Sequence, residues 1–312
     1  MLLSQLAIRN IGLYAAITPS NIGSCRTIVG ATKTAGVRIG LWPMISNELG
    51  RWASAWTAYP YIDFVDDMLK PLARERLLPD ELLIDLEPPI NAARAAVGGR
   101  WMGIGQPPIK GWNTLRSYFA TLNNRGLELA AAIAPWCVSG RAARAWQWAM
   151  GTPIDGQPFA RIFAMAYTSM IEGYSRGLLG RKDSRALLSK WTTEIERRHG
   201  TRGAIALGVT GRGALGDEPT YRHADELSDD AQLAKCSNRS LSLALFDLSG
   251  ALARPPLHSW LDALQTDTAS KDTCPPYSAS DNAPMTIRSR MASAGFFLAG
   301  HWLGRKCPRS AR

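Results

Sequence analysis

The chain is short of histidine and cysteine and has no long apolar run, and each shortage removes a class of function. Its four histidines, His199, His223, His258 and His301, form no H-x-x-x-H or H-E-x-x-H group. A metal-dependent hydrolase needs grouped ligands of that kind, so a metal site is not supported. The five cysteines, Cys25, Cys137, Cys236, Cys274 and Cys307, are far apart and show no C-x-x-C spacing. Neither a zinc site nor a dense disulfide framework follows from such spacing. Buried free thiols are the expectation, with Cys274–Cys307 as the pair that could form a bridge near the C-terminus.

No uninterrupted apolar stretch is long enough to span a bilayer. The start, Met1 to Ala16, is apolar but lacks a basic leading region and carries Arg9 inside it. A signal peptide is therefore not supported, and a cytoplasmic location is the default expectation. The Gly-rich stretch from Gly208 to Gly216 lacks the Lys-Ser/Thr of a phosphate loop and opens no convincing helix. It reads as a flexible loop after a strand. No Gly-x-Ser-x-Gly elbow is present, and no cofactor is expected.

What is present is an ordinary globular composition, with 46% hydrophobic and 20% charged residues in a chain of 312. Such a chain can bury a sizeable core. The net charge is +10, but the cations are scattered among acids and alanines and no run of five basic residues occurs. That charge is composition rather than a nucleic-acid footprint.

Short β-rich runs alternate with longer segments of helical period, the pattern of parallel strands joined by crossover helices. The runs are Asn10–Ile17, Val37–Ile45, Leu82–Leu86, Leu127–Ile133, Arg161–Met170, Ala204–Val209 and Leu241–Leu248. A long amphipathic stretch from Asn47 to Arg76 follows the second, with Trp52, Trp56, Ile62, Val65 and Met68 as its apolar side. Asp183 to His199 reads as a polar helix with Asp183 as N-cap, and Pro256 to Leu264 as a closing helix. The expected fold is α/β, a parallel (β/α)8 TIM-type barrel over residues 1–265. Seven strands are counted where eight are needed, so the first strand is missing or irregular within Met1–Ile8. Thr266–Arg312, polar and then basic, reads as a C-terminal tail or appendage.

In such barrels the functional residues sit at the C-terminal ends of the strands. Asp85 and Glu87 lie there, two apart, so both carboxyls face one side. Two acids in a dry cleft repel one another, which raises at least one pKa and keeps a proton available near neutral pH. A general acid for glycosidic cleavage requires that. The structural alternative is that Asp85 pairs with an arginine such as Arg38 while Glu87 caps the next helix. Trp42 and Trp136 also end strands, where an indole can stack on a sugar ring or simply pack. Trp52, Trp56, Trp112, Trp146, Trp148, Trp191 and Trp260 are assigned to packing. Asp247 is the best placed second carboxylate, whereas Glu172, Asp217 and Glu218 read as solvated loop charges.

Taken together, these strand ends resemble the glycoside hydrolase family 18 barrel, the chitinase and endo-N-acetylglucosaminidase group, and related bacterial barrels. That family carries an Asp-x-Asp-x-Glu signature at the end of its fourth strand, and Asp85-Leu86-Glu87 matches its end, with Leu83 in place of the preceding acid. Its Met-x-Tyr-Asp segment on the sixth strand is matched by Met165-Ala166-Tyr167, with Thr168 replacing the acid. With one further N-terminal strand the two motifs fall in the family's order. The resemblance implies that Glu87 protonates the leaving oxygen, Asp85 orients a substrate N-acetyl group acting as internal nucleophile, and Tyr167 hydrogen-bonds that group.

The reading is a hydrolase of O-glycosidic bonds acting on a carbohydrate. Its competitors are a glycan-binding barrel without turnover and a truncated, inactive barrel. Nucleic acid is not an expected partner, and nothing in the sequence sets the oligomeric state.

Overall fold

A computed structural model describes residues 2–97, 106–237 and 240–265, with a few positions between 288 and 299. The appendage expected over Thr266–Arg312 falls almost wholly outside the described residues. In chain order the elements are α1 (Leu2–Ile8), β1 (Leu13–Ile17), α2 (Cys25–Thr34), β2 (Ile39–Pro43), α3 (Ala58–Arg74), β3 (Glu81–Leu86), α4 (Ile90–Val97), α5 (Ile109–Asn124) and β4 (Glu128–Ile133). They continue with α6 (Ala143–Met150), β5 (Phe159–Met165), α7 (Thr168–Tyr174), α8 (Arg181–His199), β6 (Gly203–Gly208), α9 (Ala224–Ser237), β7 (Ser242–Phe246), α10 (Leu248–Leu252) and α11 (Leu257–Leu264).

Strand neighbours follow the chain, β1-β2-β3-β4-β5-β6-β7, and the registered pairs are parallel. The seven runs expected from the sequence are these seven strands. The N-terminal segment supplies none: Leu2–Ile8 is helix, so the expectation of an irregular strand there is corrected. Asp85 therefore lies on the third described strand with Glu87 just after it, and Tyr167 follows the fifth.

The contacts divide the chain into two compact units, one built from the residues up to Ala132 with Gln147–Arg161, the other from Ile133–Trp146 and the residues from Ile162 onward. In the first unit Leu41, Leu82, Ile84 and Leu86 are fully buried. Helix α3 covers this sheet with Tyr61, Val65, Met68, Leu69 and Leu72, spaced at helical period and all buried. Tyr14 pairs with Gly40 and Gly40 with Glu81, placing the three in one cross-strand row. Gly40 is glycine for room, since a Cβ there would lie 2.3 Å from the Tyr14 ring. The Tyr14 hydroxyl donates to Glu81 at 2.5 Å, and Arg161 donates to the same carboxylate at 2.8 and 3.2 Å. Glu81, only 1% exposed, is thus a paired charge at the N-terminal end of β3.

The helix expected from Asn47 is corrected. A short 3-10 turn, Asn47–Leu49, is followed by a loop, and α3 begins only at Ala58. Gly50 and Arg51 take left-handed backbone conformations, φ 105° and 70°, which no helix continues through. Trp52 and Trp56 lie in that loop instead of on a helix face.

In the second unit Ile162–Met165 pair with Gly203–Ala206, and Ala204–Gly208 with Ser242–Phe246. The expected strand Arg161–Met170 stops at Met165 because Thr168 opens α7. The Thr168 and Tyr221 hydroxyls donate to Asp230 at 2.5 and 2.8 Å, and Arg181 and Arg185 donate to its other oxygen at 3.1 and 3.0 Å. One fully buried carboxylate thereby locks α7, α8 and α9 together. Asp183 is not the N-cap of α8. Gly180 holds that position, and Asp183 accepts its backbone N–H at 2.9 Å from the first turn.

Cys25 and Cys137 are buried thiols outside any disulfide, as expected. Cys236 is disulfide-bonded, which corrects its reading as a free thiol, and its partner lies outside the described residues. The expected Cys274–Cys307 pair falls outside them too. Among the described residues no helix is long and apolar enough to cross a membrane.

Candidate active site

In the first unit β3 alternates strictly along its length. Leu82, Ile84 and Leu86 point one way with no exposure, while Glu81, Leu83 and Asp85 point the other. Asp85, 2% exposed, is the last inward residue of the strand, and half-buried Glu87 follows it at the same parity before Pro88 and Pro89. The loop after β2 returns to this point. Ala53 donates its backbone N–H to the carbonyl of Asp85 at 3.0 Å and makes a parallel bridge with Leu86. The Thr57 side chain holds that loop, donating to the Trp52 carbonyl at 2.5 Å and accepting the Ser54 N–H at 2.9 Å. Gly50 fits because a Cβ there would lie 2.6 Å from Thr57, and its carbonyl accepts the N–H of Ile90, the first residue of α4.

Burial pushes Asp85 up to about 7, against the opposing pull of a hydrogen bond from Trp42, the Arg51 charge and a hydrogen bond with Glu87. Burial also raises Glu87 well above the usual carboxylate range, and the adjacent Asp85 carboxylate raises it further. Their mutual interaction lowers Asp85 and raises Glu87, so of the two Glu87 keeps its proton to the higher pH. Arg38 does not pair with Asp85 but with Glu128, at 2.9 Å. The arginine charge that acts on Asp85 is that of Arg51. Trp42, partly exposed near the end of β2, acts on Asp85 to lower its pKa against burial. Trp42, Asp85 and Glu87 thus come together in one unit.

Sequence reasoning missed two neighbours of the pair. Arg51 contributes positive charge to both carboxyls, and its guanidinium lies 5.9 Å from the Trp52 ring. Tyr61, in α3, is wholly buried with an unpaired hydroxyl and feels the Asp85 charge. Both had been absorbed into a supposed amphipathic helix. The Gly50-Arg51 step and the polar Ser54-x-x-Thr57 pattern were the available signals of a loop.

The remaining candidates belong to the second unit. Tyr167 is partly exposed, precedes α7 and stacks on Phe246 at 5.6 Å. Trp136, in a 3-10 turn, packs against Trp146 at 6.0 Å. Asp247 caps α10, accepting the Gly250 N–H at 2.6 Å, so its carboxylate has a structural use. Glu172 is bonded to Arg181 at 2.9 Å and Ser184 at 3.0 Å. Glu218 is buried rather than solvated. It accepts the backbone N–H groups of Gly213, Leu215 and Gly216 at 2.9, 2.6 and 2.8 Å, giving the Gly-rich loop a fixed centre. Among the described residues no group of three or more His, Cys, Asp or Glu side chains could hold a metal ion.

No protein-family model and no curated protein matches the chain. Solved structures do. The structure of ZgEngAGH5_4 in complex with a cellotriose matches with a TM-score of 0.53 and 11% identity, over 85% of this chain and 87% of that one. PbGH5A, a glycoside hydrolase family 5 enzyme from Prevotella bryantii B14, matches with a TM-score of 0.51 and 11% identity over 85% and 84% of the two chains. A Bacteroides ovatus GH5 xyloglucanase in complex with a XXXG heptasaccharide matches with a TM-score of 0.50 and 13% identity, over 85% of this chain and 66% of that one. Identity this low speaks for fold alone: the chain shares the parallel, sequentially wound α/β fold of glycoside hydrolases.

Proposed function

We propose that this protein is a glycoside hydrolase acting on a carbohydrate, with Glu87 as general acid and Asp85 assisting it. One observation carries the reading. Two carboxyls stand two residues apart at the C-terminal end of β3, burial raises both, and Glu87 is raised further by the Asp85 charge. A carboxyl kept protonated near neutral pH can donate to a departing glycosidic oxygen. An adjacent carboxylate can stabilise the positive charge that develops at the sugar. Trp42 offers an indole beside the same pair for stacking on a sugar ring.

The finer assignment to family 18, with an N-acetyl group as internal nucleophile, rests on the motif. Leu83 stands where that family has an acid, leaving Asp85 with no carboxylate two residues before it. Thr168 stands at the second missing acid, and its hydroxyl is committed to Asp230. The role of Tyr167 rests on the motif alone. The disulfide at Cys236 favours an oxidising compartment over the cytoplasmic default.

The same two departures favour one other reading, a barrel that binds glycan without cleaving it. A mass-spectrometric digest of an oligosaccharide panel, including chitin and peptidoglycan fragments, separates the readings. Cleavage by the wild type that drops by about 10²–10⁴-fold in Glu87→Gln supports the hydrolase. Retention of one glycan by both proteins without cleavage supports the binding protein. No cleavage and no retention overturns both.

A further inference from the structure

The acidic pair has a buried polar neighbour that the proposed chemistry does not use. Asp85 Oδ1 is buried and has no hydrogen-bond partner. The Tyr61 hydroxyl is buried and has none either. One is an acceptor on a charged group and the other a donor, and leaving either unpaired in a protein interior is costly. Both side chains belong to the first unit.

The backbone brings the two toward each other. Ala53 is hydrogen-bonded to the carbonyl of Asp85 itself, and four residues later Thr57 fastens the same loop. The Tyr61 N–H then donates to the Thr57 carbonyl at 3.0 Å, so Tyr61 stands one helical turn beyond the anchor. The Asp85 charge in turn raises the Tyr61 hydroxyl, behind the larger effect of burial. Tyr118, which faces Tyr61 from α5, cannot take this role because its hydroxyl donates to Asp66 at 2.9 Å.

We propose that the Tyr61 hydroxyl donates to the Asp85 carboxylate through one bridging water, which makes Tyr61 a positioning residue for the acidic pair. The inference deepens the proposed function and rests on it, since a donor to Asp85 favours its ionised form and leaves Glu87 as the acid of the pair. The groups that act on Asp85 are then Glu87, Trp42 and Arg51 together with Tyr61 from α3.

The test reads Asp85 itself, whether or not any glycan is cleaved. The full chain, labelled with ¹³C at the aspartate carboxyl carbons, is titrated by NMR as wild type and Tyr61→Phe, with Asp85→Asn assigning the resonance. A hydrogen bond to the charged form lowers a carboxyl pKa, so removing the donor raises the Asp85 midpoint, by about one pH unit. Incorporation of 3-fluorotyrosine at position 61 strengthens the donor without removing it and moves the midpoint the other way. Opposite movements in the two proteins establish the role. An Asp85 midpoint that moves in neither protein overturns it and leaves Tyr61 as packing. Hydrolysis of the oligosaccharide panel is scored separately, so a failed glycosidase reading and a failed Tyr61 reading are distinguishable.

Discussion

Ala53 and Asp85 are joined by a backbone hydrogen bond of 3.0 Å, which ties the loop after β2 to the end of β3. Through it, the loop that leads into α3 meets the acid at the end of β3 although the sequence separates them widely. The fixed position of Asp85 is also what makes its titration visible in the stability of the whole unit.

Burial raises both Asp85, to about 7, and Glu87. A carboxyl raised in the folded state binds more protons there than in the unfolded chain, so its contribution is favourable at low pH and is lost as pH rises. Stability should be full near pH 4 and decline up to about 7 as Asp85 ionises. The share of the decline due to Asp85 approaches about 1.4 kcal/mol for each step of one in pH, and Asp85→Asn removes that share while the share due to Glu87 stays. Thermal melts should therefore show the variant gaining on the wild type at pH 8 but not at pH 4. Parallel pH profiles for the two proteins would show that Asp85 is not raised.

Glu81 is 1% exposed and accepts from Tyr14 and from Arg161, which also lies 3.7 Å from Glu128. Glu81→Ala strips both donors of a buried acceptor and should cost about 3 kcal/mol in urea unfolding. The loss is held at the lower end because Arg161 keeps Glu128 and some solvent. Glu81→Gln keeps an acceptor for Tyr14 and should recover part of it.

Gly40→Ala places a methyl 2.3 Å from the Tyr14 ring and should destabilise by about 1–3 kcal/mol through overpacking. Adding Tyr14→Ala opens the row, so the double variant should lose less than the sum of the two singles. Strict additivity in denaturant titrations would mean that the two residues do not share that space.

Asp230 is fully buried and bonded to Thr168, Tyr221, Arg181 and Arg185. Asp230→Ala leaves two cations and two hydroxyls without their common partner and should cost about 3–5 kcal/mol. Amide hydrogen exchange should quicken first in α7 and the start of α8, because these meet α9 through that carboxylate. Unchanged protection there would show that apolar packing alone holds the three helices.

Much of the architecture was legible in the sequence because its signals are local. The run Ala204–Val209 is a continuous apolar stretch and Leu82–Leu86 is broken only by Asp85, and a strand buried on both faces needs little more than that. The parity of Asp85 and Glu87 was likewise readable, since alternation along a strand is a property of the backbone. Helix starts were less so. Asn47–Arg76 carries helical spacing throughout, yet the left-handed Gly50-Arg51 step and the Thr57 hydroxyl delay α3 to Ala58. Thr168, on an apolar run, reads as strand until the buried Asp230, 62 residues on, claims its hydroxyl for a helix start.

By itself, then, the sequence determined the parallel α/β class, the positions of seven strands and the placing of two acids at one strand end, because short-range periodicity encodes all three. Only the tertiary structure decided which charges are paired and which are left to act. Arg38 met Glu128, Glu218 met three backbone N–H groups and Asp247 capped a helix, whereas Asp85 was left beside Trp42, Arg51 and Glu87. Burial and partnership depend on which residues distant in sequence arrive at one place, and the cost of ionising a carboxyl is set there rather than by its neighbours along the chain.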